Sequence, residues 1–135
     1  MIYLSSGDLL CAYELPIKPM TAPRPRFSRV GHAYNPKKYA AYLDTLKYLI
    51  QSKHAGIIFA EPLILDVDFF FMDRHHRDID NLLKPVMDAC SGIIYKNDSI
   101  IQAVVAKKFF ADFSAIRLAF YALKPYNISN DSFKG

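Results

Sequence analysis

The chain has 135 residues, a net charge of +4, 52% hydrophobic residues and 22% charged ones, the composition of one globular domain built on a single core. Its two cysteines, Cys11 and Cys90, have neither metal-ligand spacing nor a disulfide framework, so a reducing, intracellular compartment is expected. The opening stretch "MIYLSSGDLLCAYELP" reads as no signal peptide, and no run approaches the ~18 apolar residues that a membrane span needs.

In chain order, "LLCAYELPI" (9–17) reads as a first strand. Residues 18–35 carry Pro19, Pro23, Pro25 and Gly31 and read as a loop, extended around Arg24 and Arg26. No acid occurs between Glu14 and Asp44, whereas Lys18, Arg24, Arg26, Arg29, Lys37 and Lys38 do, which is an electrostatic footprint for phosphate; the plainer alternative is a solvated loop. From Pro36 to about His54, Tyr39, Tyr42, Leu43, Leu46, Leu49 and Ile50 recur at helical spacing, with Pro36 suited to the first turn and Gly56 beyond the end. "PLILDVDFFFM" (62–72) alternates, with Leu63, Leu65, Val67, Phe69 and Phe71 on one strand face. A short helix through Cys90, a turn at "SGIIYKND", and strands near 99–110 and 115–122 complete the domain. The order β-α-β-α-β-β predicts an α+β fold, a small mixed sheet with two main helices, occupying residues 1–123 ahead of a polar tail at 124–135.

The stretch "DRHHRDIDNLLKPVMDAC" (73–90) begins where the 62–72 strand runs out, and strand ends are where functional side chains project. Asp78 and Asp80 are one residue apart and can converge on one ion; Asp80 is equally a good N-cap for the next helix. Lys84 and Asp88 follow at four-residue steps on the same helix face, although Pro85 removes one backbone hydrogen bond and predicts a kink. Asp66 and Asp68 share the spacing of the Asp78–Asp80 pair but read as solvent-facing sheet residues. His75 and His76, between Arg74 and Arg77, read as part of a phosphate-facing loop, because adjacent side chains seldom aim at one metal. Asp98 precedes the next strand and, taken singly, is a turn residue.

Repelling carboxylates become favourable with a cation between them. Mg²⁺ prefers carboxylate oxygens, retains waters and needs few protein ligands, so Asp78, Asp80 and Asp98 with one lysine and a basic loop fit a metal-dependent phosphodiester site. The competing reading is a non-catalytic nucleic-acid-binding protein that keeps the acids as caps and turns. Against it, a binding module gains nothing from clustered negative charge beside phosphates.

The stretch "DRHHRDIDNLLKPVMDACSGIIYKNDSII" resembles the signature of the RusA family of Holliday junction resolvases, in which a basic loop precedes D-x-D-N-x-x-K, a D-A-containing helix, a Gly turn and an acidic pair opening the next strand. "RPRFSRVGHAYNPKKYAAY" is similar to the family's R-P-R loop and first helix, so the resemblance covers about residues 16 to 110. It implies that Asp78, Asp80 and Asp98 are metal ligands for Mg²⁺, with Mn²⁺ an alternative, that Lys84 is catalytic and that Asp88 supports the site. The basic stretch and the loop before the acidic pair are expected to supply DNA contacts through Arg24, Arg26, Arg29, Lys37, Lys38, Arg74 and Arg77. The expected protein is a homodimeric endonuclease that nicks two opposed strands of a four-way junction in recombination and repair. It would act in the cytoplasm of a bacterial cell or phage-infected host. A nuclease of the same fold acting on other branched DNA is the alternative. Asn97 departs from the pattern, standing where the family often has the first acid of the pair.

Overall fold

The computed structural model describes residues 5–23 and 36–124. Arg24, Arg26, Arg29 and residues 125–135 of the expected tail lie outside the described residues. The elements are β1 (Ser5–Leu15), α1 (Pro36–Lys53), β2 (Leu63–Phe71), α2 (Ile79–Cys90), a 3-10 turn at Asp98–Ile100, β3 (Ile101–Phe110) and β4 (Ala115–Lys124). This is the expected α+β order.

The strands form one mixed sheet ordered β1-β4-β2-β3, in which β2 pairs antiparallel with β4 and parallel with β3. β1 starts earlier than its apolar run because its pairing with β4 extends to Ser5↔Lys124. It ends before Pro16, which has no N–H for a ladder. β4 reaches Lys124, one residue into the expected tail.

The alternation in β2 decides which face is covered. Leu63, Leu65, Val67, Phe69 and Phe71 are buried, together with Ile116, Leu118 and Phe120 of β4, beneath Tyr42, Leu46 and Ile50 of α1 and Leu82, Val86, Ala89 and Cys90 of α2. Both helices therefore lie on one face. The other face carries Asp66, Asp68 and Phe70 of β2, opposite Val105, Lys107 and Phe109 of β3.

This outer face corrects the reading of Asp66 and Asp68 as merely solvent-facing. Lys107 Nζ lies 3.3 Å from Asp68 Oδ1 and 3.6 Å from Asp66 Oδ1, and Arg117 stands 4.0 Å from Asp68. The parallel register places Lys107 opposite Asp68, and the antiparallel one places Arg117 on its other side. The two carboxylates raise the lysine's pKa, Asp68 most. The "DVD" pair is an ion-pair lattice holding three strands together.

Candidate active site

The acidic motif begins at the end of β2 and is fastened from several sides. Asp73 accepts from the His75 N–H at 3.0 Å, from Arg77 through both guanidinium nitrogens (2.6 and 3.2 Å), and lies 3.1 Å from Lys18 Nζ. These donors, Arg77 first, hold its carboxyl well below the usual carboxylate range. Asp73 is thus the knot of the loop. It pins Lys18 of the basic segment against the motif.

The loop also grips the sheet. Arg77 stacks on Phe71 at 4.1 Å and Arg74 on Phe110 at 4.9 Å, and Lys108 Nζ donates to the Arg77 carbonyl at 2.7 Å. Phe71 and Phe110 are register partners at the ends of β2 and β3. Arg77, only 14% exposed in its side chain, is largely consumed in this architecture. Arg74 is exposed, at the loop's outer edge.

α2 opens with Asp78 at the N-cap position, so the expectation that Asp80 caps the helix is corrected by two residues. The Asp78 carbonyl accepts the first helical bond, from Leu82 N–H at 3.1 Å, while its side chain makes no capping bond. Asn81 Nδ2 donates to Asp78 Oδ2 at 3.5 Å, and the Asn81 N–H donates to Asp80 Oδ1 at 3.0 Å. Both carboxylates are exposed on the first turn, where a helix's positive end tolerates anionic oxygens.

The expected kink at Pro85 does not interrupt α2, which runs unbroken to Cys90. The cost is met from outside. Pro85 has no N–H, so the Asn81 carbonyl four residues back lacks its helical donor. The Ala22 amide supplies it, at 2.7 Å. One turn beyond Asp80, Lys84 Nζ lies 3.6 Å from Asp88 Oδ2, an exposed pair.

Asp98 lies elsewhere. It opens the 3-10 turn before β3, at the end of the parallel β2–β3 pair opposite the end from which the motif leaves, with α2 spanning the way back. Among the described residues, no group of three or more His, Cys, Asp or Glu is gathered closely enough to hold a metal ion. The structure therefore brings Asp78 and Asp80 together on one turn and does not bring Asp98 to them within one chain. The turn after α2 needs Gly92, at φ +87°, and is fixed by Tyr95, whose hydroxyl donates to the Met87 carbonyl at 2.7 Å. Burial and the nearby Cys90, Asp98 and Asp88 push the Tyr95 hydroxyl's pKa up. Asn97 accepts the Ser99 N–H at 2.9 Å through Oδ1, the bond that an aspartate would accept, so the departure at this position leaves the local turn intact.

The paired oxygen donors of Asp78 and Asp80 suit a hard, hydrated divalent cation, which is commonly held by one or two carboxylates plus substrate phosphate. A family model described as Endodeoxyribonuclease RusA matches residues 16–119. The chain belongs to that family of endodeoxyribonucleases. No curated protein matches it.

Sequence reasoning missed three participants here: Asp73 as the knot of the loop, Lys108 on the Arg77 carbonyl, and Ala22 on Asn81. The missing donor of Pro85 was the one signal that could have pointed to the last.

Proposed function

We propose that the protein is a Mg²⁺-dependent endodeoxyribonuclease that resolves four-way DNA junctions by paired, symmetric nicks as a homodimer, in recombination and repair. Family membership supports nuclease action on branched DNA. The observation that carries the finer reading is the exposed Asp78–Asp80 pair, one helical turn from Lys84 and tied to the basic segment at Asp73 and Asn81.

In this reading Asp78 and Asp80 hold the cation. A divalent ion held by them would polarise the phosphoryl oxygen and lower the pKa of the attacking water. Lys84 adds positive charge where the transition state gains negative charge, and Asp88, 3.6 Å away, restrains its swing. Asn81 orients both carboxylates through its backbone N–H and side-chain amide. Lys18, Lys37, Lys38 and Arg74, with Arg24, Arg26 and Arg29, supply phosphate contacts, and Arg77 acts by holding the loop. Asp98 enters as a third ligand on the strength of the motif alone. Two-fold symmetry gives a pseudo-symmetric junction two identical sites.

The test is incubation of the protein with a labelled synthetic four-way junction and a linear duplex, with Mg²⁺ or with EDTA. Junction cleavage that needs the metal is the expected outcome. Tight junction binding without cleavage under any divalent ion would favour a purely binding role.

A further inference from the structure

Lys107 and Lys108 are neighbours on β3 that serve opposite faces of the sheet. The register pairs Lys107 with Asp68 on the outer face and Lys108 with the buried Phe69 on the face that the helices cover. Lys107 is held by Asp66 and Asp68. Lys108 reaches the acidic loop, where its Nζ donates to the Arg77 carbonyl at 2.7 Å. That carbonyl belongs to the peptide joining Arg77 to Asp78. Standard backbone dimensions therefore put the ammonium within about 6 Å of the Asp78 Cα.

The two peptides that flank Asp78 are both clamped. Before it, Lys108 holds the Arg77 carbonyl, and the Arg77 side chain is itself tied to Asp73 and laid on Phe71. After it, the Asp78 carbonyl accepts the Leu82 N–H at 3.1 Å. Between these clamps Asp78 is extended, at φ −77° and ψ 133°, and its side chain is not used as a cap. The carboxylate therefore leaves the chain along a direction set by the two peptides.

Electrostatics alone argues against a lysine here. An ammonium close to carboxylates that are to hold a cation repels that cation. What Lys108 supplies is a charged donor on a stem long enough to cross from β3 to the loop, and such a hydrogen bond is roughly twice as strong as a neutral one. We infer that Lys108 is a positioning residue for Asp78. By fixing the peptide before it, the ammonium aims the Asp78 carboxylate at the cation it shares with Asp80. The inference rests on the proposed cation site and adds a residue to it. Groups that orient metal ligands in this way commonly carry ten- to a hundredfold of metal affinity.

An exposed lysine has two simpler uses, as a phosphate contact or as a strap for the loop, and the test separates all three. Mn²⁺ binding without DNA, followed by electron paramagnetic resonance of the free ion, is compared for wild type, Lys108→Met, Lys108→Arg, Lys107→Met and Asp80→Asn. Methionine keeps much of the stem and loses the donor, so Lys108→Met should bind Mn²⁺ about ten- to a hundredfold more weakly. Coulomb's law gives the opposite sign, because the substitution removes a repulsion. Tighter or unchanged binding therefore overturns the proposal. Lys108→Arg keeps a charged donor and should recover most of the affinity; an arginine no better than methionine overturns it as well. Lys107→Met removes the same charge from the other face and should stay within about twofold of wild type, and an equal loss there would reduce the effect to a general one. Junction binding by Lys108→Met in EDTA should keep the wild-type salt slope. A slope flattened by about 0.9 log units with Mn²⁺ affinity intact would make Lys108 a phosphate contact instead. A lower melting temperature with intact Mn²⁺ affinity would make it a strap. Asp80→Asn guards the premise. If it binds Mn²⁺ as wild type does, the proposed cation site fails first, whatever Lys108 does, and the inference falls with it.

Discussion

The Ala22 amide donates to the Asn81 carbonyl across 2.7 Å, filling the place that Pro85 leaves without a helical donor. A residue that weakens a helix thereby becomes the docking point of another segment. The proline ring also crowds the carbonyl four residues back, which disfavours an in-line helical partner there. Through this bond and the Lys18–Asp73 pair, Lys18 and Ala22 are fixed beside the acidic turn at two points.

Replacing Pro85 tests that relationship. Pro85→Ala restores an N–H that competes for the Asn81 carbonyl, so α2 should be as stable as before or more so. The segment around Ala22 should loosen. Amide hydrogen exchange at Ala22 should accelerate about tenfold or more while exchange in α2 slows. Undiminished protection at Ala22 would show that other contacts hold the segment.

The carboxylates divide into two sets. Asp78→Asn, Asp80→Asn and Asp98→Asn should each abolish cleavage while junction binding persists or tightens, since lost negative charge reduces repulsion of phosphate. Asp66→Asn and Asp68→Asn should leave cleavage nearly intact. Asp68→Asn should lower the melting temperature more than Asp66→Asn, because the Asp68 side chain is the less exposed and has cations on both sides. Single-turnover assays and thermal melts of all five variants check this. Essential Asp66 and dispensable Asp78 would move the site to the outer face.

Lys84 separates structure from catalysis. As a partner of Asp88 alone it would contribute about 0.3–0.5 kcal/mol, and its loss would barely register. As a group acting on the transition state, its removal should cost on the order of 10²–10³ in rate, with binding retained. Lys84→Arg should rescue poorly, because the planar guanidinium cannot place its charge where the ammonium sits. Cleavage by Lys84→Ala within a few-fold of wild type would leave the carboxylates to work alone.

Much of this was legible before folding. The 62–72 alternation gave the buried face of β2, and Tyr42, Leu46 and Ile50 lie on the buried side of α1 as their spacing predicts. What sequence could not supply was register. Lys107 meets Asp68 only because β3 runs parallel to β2, and the same register sets Asp98 at the start of β3 rather than at the end of β2 where the acidic motif begins. Local spacing also failed to separate Asp78 from Asp80 as the capping position, since either residue type suits it.

The loop's anchor has a pH signature. Asp73 has a folded pKa lowered by Arg77, so its stabilising effect is present above the unfolded carboxylate value near pH 4 and is lost as pH falls through the folded one. NMR titration should show the Asp73 carboxyl still ionised below the ordinary carboxylate value near pH 4. Asp73→Asn should remove that part of the acid sensitivity and free Lys18 and Arg77. An Asp73 that titrates with ordinary carboxylates would mean that the knot is untied in solution.

For the basic segment, replacing Arg24, Arg26 and Arg29 with Ala should weaken binding about equally for junctions of different arm sequence. It should also flatten the salt dependence by up to roughly 0.9 log units per lost phosphate contact. An unchanged slope would demote the segment to a solvated loop.

The central claim is metal-dependent, symmetric cutting of branched DNA at the Asp78–Asp80 turn. Mapping the cut positions on all four labelled strands of a four-way junction, for wild type and Asp80→Asn, with Mg²⁺ or EDTA, tests it most directly. The account predicts paired nicks at symmetric positions on two opposed strands, only with wild type and only with the metal, while linear duplex stays whole. Cuts of equal rate in linear duplex, cuts in EDTA, or cutting by Asp80→Asn would contradict it.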